Sequence, residues 1–131
     1  MLIANWNSGE LKLNYVENAM IHKVNRMVLR ATSSNVIINN LSGNAVIDGS
    51  FGVLQIGNIL ESFNNLNVVL ENSEAHLKLP KTNYNLQYKG SRSKFKHPKN
   101  KNNTATSFST GDMNSGKTIV VNAKFSEVTM Q

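Results

Sequence analysis

Short runs of period-two alternation recur along the chain in pairs, each pair separated by a small, polar segment. Met27 to Ile38, Ala45 to Ile56 and Val68 to Leu79 superpose without a gap, apolar position on apolar position. The same template fits Leu86 to His97, Ile119 to Met130 and, more loosely, Leu11 to His22. About six copies follow at steps of roughly 16, 18, 23, 18 and 33 residues, the size range of one solenoid turn. Each copy predicts two strands and a corner. The pattern therefore predicts an all-β chain folded as a parallel β-solenoid (β-helix) of about six short turns, one domain over residues 1–131.

The register predicted from this alignment is specific. Three inward columns are expected: Leu11, Met27, Ala45, Val68, Leu86 and Ile119; Leu13, Leu29, Ile47, Leu70, Tyr88 and Val121; and Met20, Val36, Leu54, Leu77, Phe95 and Val128. Gly49, Asn72 and Gly90 share one position, suited to a left-handed bend. Thr32, Ser50, Ser73 and Ser91 then make a hydroxyl column, and Ser34, Gly52, Ala75, Ser93 and Ser126 a small-residue column for a tight corner. The polar stretch 98–117 lengthens one turn and reads as a mobile loop.

Composition agrees. About one residue in six is Asn, which favours turns over helices, and hydrophobic residues at 40% with charged residues at 17% supply enough apolar surface for one core. No run of residues reaches the roughly 18 to 20 apolar positions of a membrane span. With no cysteine, disulfides, thiol nucleophiles and thiolate metal sites are ruled out.

The segments Asp48 to Gly57, Phe63 to Val68, His76 to Pro80 and Asn122 to Val128 resemble the bacterial adhesin-like parallel β-helix domains. The resemblance covers almost the whole chain. It implies a right-handed β-solenoid at the periplasm or cell surface, a structural or adhesive role, no catalytic residues, and a C-terminal portion of a longer protein.

Four local features carry candidate chemistry. Gly111 to Thr118 satisfies the phosphate-loop pattern G-x-x-x-x-G-K-[ST], but a β-branched strand follows instead of the helix whose N-terminus would face phosphates, so a turn is predicted, no nucleotide cofactor, and a Lys117 dispensable for stability. Arg30, Asp48, Glu71 and Lys89 align as one charge column; Asp48 beside Glu71 matches the paired carboxylates of a glycosidase, and the favoured reading is a register-setting pair. His22, His76 and His97 fall on different turns without acidic or cysteine companions, so no metal is expected.

The fourth is charge. Net charge is +6, and the excess concentrates in Lys89, Arg92, Lys94, Lys96, Lys99 and Lys101. The solenoid register puts Lys94 and Lys96 outward on either side of an inward Phe95. Such an edge suits a surface glycan or another polyanion. Its competing role is to guard an exposed strand against aggregation. Specific nucleic-acid recognition is not expected, because no stacking aromatics are interleaved with the cations.

Overall fold

A computed structural model describes residues 1–131. The chain is all-β, with no helix. Its twelve strands are β1 (Leu2–Trp6), β2 (Glu10–Asn14), β3 (Ala19–Thr32), β4 (Asn35–Ser50), β5 (Val53–Ile56), β6 (Asn65–Glu71), β7 (Glu74–Leu77), β8 (Asn85–Ser91), β9 (Lys94–Lys96), β10 (Ser107–Gly111), β11 (Thr118–Lys124) and β12 (Glu127–Met130). All belong to one curled, open sheet. The curl arises at β3 and β4, which are long enough to turn from one limb of the sheet into the other: the first half of β4 pairs with β5 and the second half with β6.

One limb runs β2, β3, β4, β6, β11, β8, β10, and the other runs β1, β3, β4, β5, β7, β12, β9. Every pair is parallel except β8 with β10, which makes the sheet mixed. Period-two alternation sends one face of each limb inward, and these faces merge into a single apolar cluster that includes Leu29, Ile47, Val68, Val121 and Tyr88. Ile21, Ile38, Ile56 and Leu77 form the matching row on the other limb, all almost fully buried.

The stacking order is not the chain order. After β7 the chain passes to β8, which lies two strand positions beyond β6, and the last two strands return to fill the vacant places. β11 sits between β6 and β8, and β12 between β7 and β9. Before that return, residues 98–117 contain β10, laid antiparallel on β8, so the stretch predicted as one loop includes a paired strand.

Parts of the predicted register differ by two residues. Leu29 pairs with Leu11 and not Leu13; Ile47 pairs with Val68 and not Leu70; Ile56, not Leu54, pairs with Leu77. A two-residue slip preserves which face is inward, so alternation alone does not distinguish the registers. Met20 departs by one: Ala19 takes the inward place beside Val36, and Met20 faces outward.

The corners depart as well. Left-handed backbone occurs at Tyr15, Ser33, Phe51, Asn72, Arg92 and Phe125, one residue per corner, and not at Gly49 or Gly90. The hydrogen-bond ladder continues through these residues: Tyr15, Ser33, Phe51, Asn72 and Phe125 donate their N–H groups to the carbonyls of Thr32, Ser50, Glu71, Lys124 and Ser91. The residue that follows is small for a visible reason. Ser34, Ser73, Ser126 and Ser93 each donate the hydroxyl to the carbonyl two residues back at 2.9 Å. Three of these oxygens also accept an N–H from the neighbouring row: Ser34 from Val16, Ser126 from Ser73, and Ser93 from Ser126. At Gly52 the same column runs so close to the Ser34 carbonyl that a Cβ would collide with it. Ser73 therefore belongs with Ser34, and Ala75 lies opposite Leu54.

Candidate functional site

The basic residues of the 89–101 stretch collect at one end of the sheet but not on one surface. Lys89 projects from β8 beside Asn122 of β11 and Ser107 of β10. Arg92 occupies the left-handed corner between β8 and β9. Lys94 and Lys96 project outward on either side of the buried Phe95, as the alternation requires. Lys99 and Lys101 follow on the connection to β10.

Their neighbours sort them. β9 is the terminal strand of its limb, so Lys94 and Lys96 stand where lysines discourage edge pairing. Lys94 also lies in register beside Glu127, which lies beside Glu74, so its field is partly offset. Arg92 has a different setting. Its guanidinium carbon is 5.6 Å from the centre of the Phe125 ring, and Lys124 Nζ approaches the same ring to 5.7 Å. A shallow open groove runs past them, lined by Asn72, Glu74, Arg92, Lys94, Phe125 and Glu127.

Lys124 and Phe125 were not among the predicted site residues, and the predicted separation of cations from aromatics is corrected here. The inserted β11 brings Lys124 into register with Ser91, one residue before Arg92. The available signal was the small-residue column, in which Ser126 and Ser93 already align; their preceding residues, Phe125 and Arg92, must then be corner neighbours.

Beneath this end lies an aromatic cluster. The Tyr88 and Phe95 rings stack with centroids 3.9 Å apart, and Phe108 of β10 and His97 close over them. His97 Nδ1 accepts a hydrogen bond from the Lys99 N–H at 3.0 Å, which leaves the proton on Nε2, where it has no partner. Burial, reinforced by the Lys99 charge, holds the imidazole pKa below its ordinary value. Burial likewise raises the Tyr88 phenol. The Ser93 hydroxyl donates to the Ser91 carbonyl, and Tyr88 Oη is left without a hydrogen bond.

The remaining candidates separate. The predicted charge column is corrected by the register: Asp48 lies between Arg30 and Val69, while Glu71 lies between Ser50 and Lys124, so the two carboxylates are not side by side. Arg30 instead approaches Glu10 at 3.9 Å across an exposed surface. Thr118 of the phosphate-loop pattern opens strand β11. Lys117 Nζ donates to the carbonyls of Phe63 at 2.6 Å and Glu61 at 2.7 Å and lies 5.5 Å from the Phe63 ring centre, so it is a structural tether and not dispensable. No three His, Asp or Glu side chains converge, and no helix is long and apolar enough to cross a membrane. No family model, curated protein or solved structure matches the chain.

Proposed function

We propose that this chain is a non-enzymatic, adhesin-like module of the cell envelope, a right-handed parallel β-solenoid of about six turns, which meets an acidic glycan or other polyanion at its basic end. One observation carries the ligand class. Arg92 and Lys124 converge over the half-exposed ring of Phe125, at the same end of the sheet as Lys89, Lys96, Lys99 and Lys101. Cations over an aromatic ring offer a sulfated or carboxylated sugar both a charge partner and a surface for its apolar face. Arg92 and Lys124 make no salt bridge within the chain, although Glu71 lies in register beside Lys124 and offsets part of its field. The family resemblance supplies the envelope setting and the solenoid handedness.

Retention on heparin-like resin tests the reading. Wild type is expected to elute progressively with salt, because screening cuts the reach of the field to about 10 Å near 0.1 M. Arg92→Ser with Lys124→Ser should elute markedly earlier. Lys12→Ser with Lys23→Ser removes the same charge from strands at the opposite end of the sheet. Equal losses in the two double variants would show that retention follows net charge alone, and the proposed site would fall.

A further inference from the structure

The left-handed corner residues form a single column across the sheet, in the order Tyr15, Ser33, Phe51, Asn72, Phe125, Arg92. Aromatic rings occupy alternate places in it. Tyr15 is 81% exposed, Phe51 61% and Phe125 42%, so none of the three is a core residue. Each also sits at φ between 49° and 58°, a conformation that opposes a bulky side chain and suits Asn or Gly. Exposure and backbone strain thus both weigh against aromatic residues where three of them stand.

Spacing points to a ligand. Neighbouring strands are about 4.8 Å apart, so alternate corners present rings about 9.6 Å apart. An extended β-1,4-linked glycan turns the same sugar face outward at every second pyranose, and two pyranoses span about that length. The apolar C–H face of a sugar stacks on an aromatic ring as a base does. Its hydroxyls need donors and acceptors alongside, and Asn14, Thr32 and Ser50 stand in register beside the corner residues Tyr15, Ser33 and Phe51.

Charge narrows the class. Glu71 and Glu74 bracket Asn72, midway between Phe51 and Phe125. A polymer with a carboxylate on every repeat would be repelled there, whereas a neutral chain would not. We propose that the corner column is a track for a neutral, extended β-1,4-linked glycan, one aromatic residue per disaccharide. The inference goes beyond the polyanion site, with which it shares only Phe125, since Tyr15, Phe51 and their hydroxyl-bearing neighbours lie on rows away from Arg92.

Titration with cellohexaose, followed by calorimetry or ligand-observed NMR, tests it. Maltohexaose serves as the control, having the same sugars in a coiled α-linked chain that offers no repeating flat face. Phe51→Asn and Tyr15→Asn remove a ring while placing a residue that tolerates the left-handed corner, so both variants should melt at or above the wild-type temperature. Wild type should bind cellohexaose and not maltohexaose, and Phe51→Asn should weaken binding by about 10-fold, as loss of one stacking ring does. Lys96→Ser with Lys99→Ser, away from every corner ring, should weaken heparin retention yet keep cellohexaose affinity. No binding of cellohexaose at about 10 mM, equal binding of maltohexaose, or undiminished affinity in both folded Asn variants would overturn the track. A wild type that ignores heparin but binds cellohexaose would overturn the polyanion reading and support this one.

Discussion

Replacing Lys117 with Met keeps the aliphatic stem and removes the ammonium that ties the start of β11 to the 61–63 segment. Two carbonyl oxygens lose a charged donor, at 2.6 Å and 2.7 Å, and the Phe63 ring loses a cation 5.5 Å from its centre. Hydrogen bonds to charged groups contribute about 1.5 to 3 kcal/mol when buried. The Phe63 bond is partly buried and deserves the lower part of that range, whereas the Glu61 bond is exposed and water replaces it at little cost. A half-exposed cation–π contact adds about 0.5 kcal/mol. The expected loss is about 2 kcal/mol, which for a two-state domain of 131 residues lowers the melting temperature by about 7 °C. Thermal unfolding followed by circular dichroism measures it, with Lys101→Met, an exposed lysine without a hydrogen-bonded partner, as the control expected to stay within about 2 °C. A Lys117→Met protein melting with that control would refute the tether.

Two further outcomes follow from the aromatic cluster at the basic end. Tyr88→Phe should be neutral or stabilising by about 1 kcal/mol, because the buried Oη it removes makes no hydrogen bond while the ring and its stacking on Phe95 stay; a clear drop in the urea midpoint would contradict this. His97 has a lowered folded-state pKa against about 6.5 when unfolded, so stability is unaffected by it above that value and falls as pH drops below it, where the unfolded chain takes up a proton that the folded chain refuses; His97→Phe should flatten that decline in urea midpoints measured from pH 7.5 to pH 5.

Alternation carried the all-β class and the inward faces because burial selects side chains by parity, and parity survives whatever the register. Tyr88, Phe95, Ile47 and Val128 all point inward as expected. Register within a face was less legible. Leu66-Asn-Val68 and Val68-Val-Leu70 satisfy the same alternation, and only the serine ladder at the corner, which requires Ser73 opposite Ser126, separates them. Stacking order was not legible at all, since β11 has the same apolar pattern as its neighbours and nothing local marks it as an insertion. That hidden step is also why the candidate site was incomplete. Lys124 and Phe125 reach Arg92 only because β11 returns to pair with β8, whereas Lys89 to Lys101 are contiguous and could be read directly.

The corner column explains how such a site can be accommodated. In an isolated turn, φ near +50° selects Gly or Asn, yet here the six positions hold Tyr, Ser, Phe, Asn, Phe and Arg. The conformation is imposed from outside the residue. Five of the six corner N–H groups, all but that of Arg92, are held by the next row's ladder, and after every corner but Tyr15 the residue that follows is a serine pinned by its own hydroxyl or Gly52, where the neighbouring chain approaches closely. Once backbone and neighbours determine φ, the corner side chain is left outside the core, where its identity costs strain but alters no packing. Such a column is where surface chemistry can vary most freely on this framework, and it is the column in which the exposed rings and Arg92 are found.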